Sequence, residues 1–110
     1  MDHYDIILTP DAIADLFELR DYIADVLLAP GTALSYVHAI REEISKLSEM
    51  PTRIKPIEDE PWHSYGIRKI IANNFYVYFW INEETNHVYI LNVIYEKRDQ
   101  LKQLTKLKID

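Results

Sequence analysis

Residues 66–81 read GIRKIIANNFYVYFWI, two runs of strand-forming residues about a pair of asparagines. Asparagine tolerates the positive φ of a two-residue turn, so Asn73 and Asn74 predict a β-hairpin. That turn fixes the register: Ala72 opposes Phe75, Ile71 opposes Tyr76, Ile70 opposes Val77, Lys69 opposes Tyr78 and Arg68 opposes Phe79. Side chains alternate along a strand, so two sets separate. Ile70, Ala72, Phe75, Val77, Phe79 and Ile81 form a hydrocarbon face fit for a core, with Arg68 near its end. Ile67, Lys69, Ile71, Tyr76, Tyr78 and Trp80 form the other face. Amphipathic rings around one ammonium group suit a surface that is wet in one state and covered in another, and they permit cation–π contact.

The rest of the chain supplies what that hydrocarbon face needs. YDIILT predicts a short strand at residues 4–9, and Thr9-Pro10-Asp11 is a helix start: a capping hydroxyl, a first helical residue without an N–H, and an acid at the positive end of the dipole. Ile13, Leu16, Phe17, Ile23, Val26 and Leu27 follow at helical spacing. Ala29-Pro30-Gly31 stops that helix, and Thr32 begins a second one with Ala33, Val37, Ile40, Ile44 and Leu47 in a stripe. So short a link predicts an antiparallel helical hairpin. Pro51, Pro56 and Pro61 break any periodicity between Met50 and Tyr65, which reads as a loop. HVYILNVIY, residues 87–95, is the last strand. RDQLKQLTKLK reads as a short C-terminal helix with Leu101, Leu104 and Leu107 inward. The fold class is therefore α+β: a two-layer domain over residues 1–110, with an antiparallel sheet of three to four strands packed by an N-terminal helical hairpin.

Charge bears on partners through its distribution. The net charge is -6, which alone argues against phosphate binding. Residues 1–25 hold seven acids and one base (Arg20), and this accounts for the whole imbalance. Residues 61–81 carry Arg68 and Lys69 without an acid, and residues 95–110 hold five bases against three acids, so a local cationic surface is available. No cysteine is present, which removes thiolate chemistry and fits a reducing cytoplasm. The acid in MDHYDIIL and its short apolar run do not make a signal peptide. The longest apolar run, FYVYFWI, is far below the roughly 18 residues of a membrane helix.

Other chemistries lack their parts. His3, His38, His63 and His87 are scattered without metal-ligand spacing, so no metal or other cofactor is expected. Ser64 beside His63 has no strand–turn–helix context to expose a nucleophile. Two glycines, Gly31 and Gly66, cannot build a phosphate loop.

The ordered series TPDAIADLFELRDYI, ISKLSEMP, GIRKIIANNFYVYFWI and VYILNVIYEKRD resembles the RelE/ParE superfamily of toxins from bacterial type II toxin–antitoxin modules, also called plasmid stabilisation proteins. The match runs from about Asp5 to Asp99. The resemblance implies a growth-arresting cytoplasmic toxin with a cognate antitoxin, assembled as a homodimer or a toxin–antitoxin hetero-oligomer. Some members are messenger-RNA endoribonucleases acting on the ribosome. By that resemblance Lys69 and Arg98 are cationic catalytic positions, and Tyr95 stands where related toxins place a proton-transferring histidine, with Glu58 or Glu60 as a base if the loop folds over. A 2′-hydroxyl attack needs such a base and cations on the phosphorane. The nuclease arginine of the middle strand falls at Tyr76, and the late tyrosine falls near Leu104, so two expected groups are missing. Other members poison DNA gyrase without a cleavage centre, and the closing IYEKRD and long helical hairpin are closer to that branch. Lys97, Arg98 and the C-terminal helix are then candidate gyrase contacts, and Arg68, Tyr76, Tyr78, Trp80 and Lys97 are candidates for a substrate or partner surface. The alternative is a non-catalytic member that only binds its antitoxin.

Overall fold

The computed structural model describes residues 3–26, 30–72 and 74–95. The hairpin pairs as its sequence requires. Strand β2 (Arg68–Ala72) runs antiparallel to β3 (Phe75–Asn82) with all five predicted pairs, from Arg68 opposite Phe79 to Ala72 opposite Phe75. Asn74 has the φ of 68° that the turn demands. A second turn, closed by the Asn82 side chain accepting from the backbone N–H of Glu84 and Thr85, leads into β4 (His87–Tyr95).

The first strand, β1 (Asp5–Leu8), completes a four-stranded sheet in the order β1-β4-β3-β2. It pairs with β4 in parallel, Asp5 beside His87 through Leu8 beside Ile90, so the sheet is mixed rather than wholly antiparallel. Parallel neighbours need a long connection. Here the helices, the loop and the hairpin all intervene between β1 and β4.

Helix α1 (Pro10–Asp21) starts where expected: the Thr9 side chain accepts from the Ala12 N–H at 3.2 Å, and Pro10 opens the helix. It runs into a π-helical turn, Tyr22–Val26. Its buried face is Ala12, Leu16, Leu19 and, in the turn, Ile23. The apolar periodicity thus locates the helix but misplaces its inner edge, because Ile13 and Phe17 lie outside at 41% and 52% exposure. Helix α2 (Pro30–Ser45) begins at Pro30 itself, as a residue without an N–H can, and its predicted stripe is inward: Ala33, Ile40 and Ile44 are buried and Val37 is half-buried. Leu47, in the following turn Lys46–Ser48, is buried too.

Both helices cover the hydrocarbon side of the sheet. One core cluster joins their inner residues to Phe75, Val77, Phe79, Ile81, Val88, Ile90 and Val93. The expected C-terminal helix lies outside the described residues, as do Leu27 and the Asn73 half of the turn.

Candidate functional site

Strand β4 carries one residue more than β3 needs. From Asn82 opposite His87 up to Phe79 opposite Ile90 the register is constant; beyond it Tyr78 faces Asn92, leaving Leu91 as the extra residue of a β-bulge. A slip of one residue moves every later side chain to the other face. Without the bulge, Val93 and Tyr95 would share a face with Tyr76 and Tyr78. With it, Val93 pairs with Val77 and Tyr95 with Phe75 on the helix side, while Ile94 pairs with Tyr76 on the outer side. Tyr95 accordingly packs its ring 5.2 Å from Phe75.

Helix α1 is tied to this bulge at two points. The Thr9 hydroxyl donates to the Ile90 carbonyl at 2.7 Å and lies 3.3 Å from the Leu91 carbonyl, and the Thr9 N–H also donates to Ile90. One carboxylate oxygen of Asp15 accepts from the Val93 N–H at 2.9 Å and from the Asn92 amide at 3.0 Å. Burial raises the Asp15 carboxyl above its ordinary value, and the two hydrogen bonds oppose that rise. Asn92 is a buried polar residue, and among the described residues its Oδ1 meets no hydrogen-bond partner.

The outer face is divided. Part of it is not open: the loop after α2 folds over it from the Ile67 end, and Ile57, Trp62 and Ile67 pack with Tyr78, Ile94, Tyr76 and Leu91 in a second small core, while Ile71 at the hairpin tip stays 63% exposed. The loop is fixed along the β2 edge by Ile57 N–H to Ile67 C=O at 2.8 Å and by an antiparallel bridge of Pro56 with Arg68. Tyr78 is therefore 2% exposed and is no surface residue; the physical reason is that Trp62 and Ile57 supply, inside a proline-broken segment, the apolar cover that periodicity cannot reveal. Burial pushes the Tyr78 phenol up to about 12, with Tyr76 and Asp59 adding to the rise.

This yields an alkaline signature. The folded chain holds the Tyr78 proton more tightly than the unfolded chain, whose phenol titrates near 10.0. Its contribution is complete below that value and is lost as pH rises through about 12. In a 295 nm absorbance titration, Tyr78→Phe should remove one tyrosine from the latest-ionising class and lessen the fall of stability above pH 10, relative to the parent chain.

The Lys69 ammonium lies 4.4 Å above the Tyr76 ring, and the Tyr76 and Tyr78 rings meet edge-on at 6.4 Å. Lys69, Tyr76 and Tyr78 are thus brought together, as the register implied. Arg68 is not a free surface cation: its Nη1 donates to the carbonyls of Ile54 at 2.6 Å and Thr52 at 3.3 Å, so it anchors the loop. Trp80, 36% exposed, stacks on Tyr89 at 5.7 Å, and His87 continues the ladder at 6.0 Å from Tyr89. Sequence reasoning missed Tyr89, whose place opposite Trp80 follows only from the β3–β4 register. Tyr95 is on the face opposite Lys69. Lys97, Arg98 and Leu104 lie outside the described residues.

Of the two candidate loop acids, Glu60 is engaged and Glu58 faces solvent. Glu60 accepts from both the hydroxyl and the N–H of Ser64, and these bonds hold its carboxyl below the usual range. Among the described residues no cluster of three histidines or acids could hold a metal ion, and no helix is long and apolar enough to cross a membrane.

A helical hairpin over one side of a β1-β4-β3-β2 sheet, with a tyrosine-rich middle strand, is the arrangement on which the comparison with known families turns. The family model described as ParE toxin of type II toxin–antitoxin system, parDE, matches residues 6–100. The chain belongs to the ParE toxin family. It is the toxin component of a type II toxin–antitoxin module. No curated protein sequence gives a match. Solved structures share the fold of this ParE-family chain. The chromosomal ParDE system of P. aeruginosa superposes with a TM-score of 0.70 at 24% identity, over 84% of this chain and 96% of that one. The toxin–antitoxin complex RelBE2 of Mycobacterium tuberculosis gives 0.58 at 23% identity, over 86% and 93%. A mutant of E. coli toxin RelE in the free state gives 0.64 at 12% identity, over 96% and 99%.

Proposed function

We propose that this ParE-family chain arrests growth in the cytoplasm by binding DNA gyrase rather than by cutting messenger RNA, and that a cognate antitoxin holds it inactive in a toxin–antitoxin hetero-oligomer. The observation that carries the choice of target is the bulge at Leu91. General acid–base catalysis requires its groups within hydrogen-bond reach of one substrate. Lys69 is on the outer face and Tyr95 on the helix face, so these two cannot serve one phosphate. Support comes also from the loop, whose Ile57 and Trp62 cover Tyr78 and Ile94 on the outer face beside Lys69, and from Glu60, which is engaged with Ser64.

The test is induced expression followed by assay of the purified protein. We expect growth arrest with a DNA-damage response, intact transcripts, and inhibition of gyrase supercoiling. Lys69→Ala should leave the arrest within about twofold of the parent, whereas removing a group that works in proton transfer or charge stabilisation would cut activity on the order of 100-fold or more. Transcript fragmentation that disappears in Lys69→Ala, with gyrase unaffected, would overturn this reading in favour of the ribonuclease.

A further inference from the structure

The half of the outer face that the loop leaves open has a composition of its own. Ile7 of β1 sits beside Tyr89, which sits beside Trp80, so these three side chains form one row across three strands. Ile7 is 37% exposed, Trp80 is 36% exposed, and the Trp80 indole stacks on the Tyr89 ring. At the β2 side the row meets bare backbone: Gly66, with φ 77°, has its missing Cβ position 3.9 Å from Cδ1 and Nε1 of the indole.

Among the described residues, the formal charges at the start of β1 and in the β3–β4 turn, the strand ends next to the row, are acids. Asp5, with a side chain 74% exposed, stands next to His87 at 4.0 Å, and Glu83 and Glu84 project from the turn that Asn82 fixes. Among the described residues, the Lys69 ammonium of this face lies over Tyr76, and Arg68 is committed to the loop. Stacked rings with a carboxylate fringe repel phosphate and attract a guanidinium, which can lie on an indole while its edge pairs with a carboxylate. The charge of the chain agrees: residues 1–95 hold fifteen acids and seven bases.

We infer that the row Ile7–Tyr89–Trp80 is a docking surface for the antitoxin, and that the antitoxin segment it receives is basic, with an arginine stacked on Trp80 and an apolar side chain against Ile7. Naming the antitoxin as occupant rests on the function proposed above; the chemistry of the row does not.

The protein encoded beside this chain's gene is co-expressed with it, and the affinity of the complex is measured by calorimetry at low and high salt. Trp80→Ala should weaken binding at least about tenfold, as loss of a central aromatic anchor does. The combined change Asp5→Asn, Glu83→Gln and Glu84→Gln should weaken it about tenfold and flatten its salt dependence. Leu34→Ala, exposed on α2 on the opposite side of the sheet, should change nothing, and thermal melts confirm that each variant is folded. A complex that forms with the parent chain but binds the Trp80 and acid variants as tightly, or tightens when the acids are removed, overturns the inference and leaves the toxin–antitoxin reading standing. If no complex forms with the parent, that reading falls and the row is judged on chemistry alone. The isotope-labelled chain is titrated with acetyl-Arg-Leu-Arg-Leu-Arg-amide, its glutamate counterpart and a single-stranded oligonucleotide. A shift of the Trp80 indole N–H resonance with the arginine peptide supports a basic-segment site; no shift, or a shift with the oligonucleotide or glutamate peptide instead, overturns it.

Discussion

Asp15→Ala is expected to cost roughly 2–4 kcal/mol of unfolding free energy, because it strands two donors at once. The Val93 N–H is a backbone group released from the ladder next to the bulge, and the Asn92 amide is buried in the core; both give their hydrogen bonds to the same Asp15 oxygen. Asp15→Asn keeps an acceptor in that place and should cost much less. The two substitutions also part with pH. Since burial raises the Asp15 carboxyl above 3.8, the folded chain binds its proton more tightly than the unfolded chain, so the stabilisation is present in full below 3.8 and is lost as pH rises through the folded value. Asp15→Asn abolishes that titration. Urea denaturation across the acidic range should therefore show the parent losing stability with rising pH, relative to Asp15→Asn. Equal stability of the alanine and asparagine variants at neutral pH would refute the account of the bulge.

Phe79→Ala should be at least as damaging, at about 3–5 kcal/mol. Phe79 is 0% exposed, pairs with Arg68 on one side and Ile90 on the other, and belongs to the cluster that joins both helices to the sheet. With total stabilities near 5–15 kcal/mol, such a loss takes a large share of what keeps a domain folded. The contrast is Ile71→Ala on the same hairpin. Ile71 is 63% exposed and should stay within about 0.5 kcal/mol of the parent. Denaturant midpoints for the pair would check the separation of the hairpin into an inner and an outer set; a costly Ile71→Ala beside a mild Phe79→Ala would invert it.

Where the sequence was legible, short-range rules decided the outcome. Two asparagines between strand runs set five cross-strand pairs, and Thr9-Pro10 set the start of α1, because turn and cap geometry depend on adjacent residues. The stripe of α2 was readable for the same reason, its period surviving over sixteen residues. What escaped depends on contacts distant in the chain. Ile13 and Phe17 fit the helical period as well as Ala12 and Leu19 do, and only the position of α2 and the sheet determines which pair turns inward. The cover over Tyr78 comes from Ile57 and Trp62, in a segment with no period to read. The parallel pairing of β1 reflects where β4 ends its meander, which no local pattern in YDIILT encodes.

The candidate site suffered most from a single event of this kind. Tyr95 becomes a candidate through family resemblance alone, and the side of the sheet it takes is set by the extra residue at Leu91, which no local pattern in HVYILNVIY marks. Lys69, Tyr76, Tyr78 and Trp80 all lie on the outer side of the sheet, but Tyr78 is a second-core residue there and Arg68 is a loop anchor.

Leu91 also bears on how such a fold could diversify. Gain or loss of one amino acid at that point would exchange what Val93, Ile94 and Tyr95 present to either side, without altering the chemistry of any of them. Two descendants of one ancestor could then carry nearly the same letters in their last strand and yet offer different groups to whatever they meet, so long as the first helix kept, or surrendered, the acid that holds the two residues after the bulge.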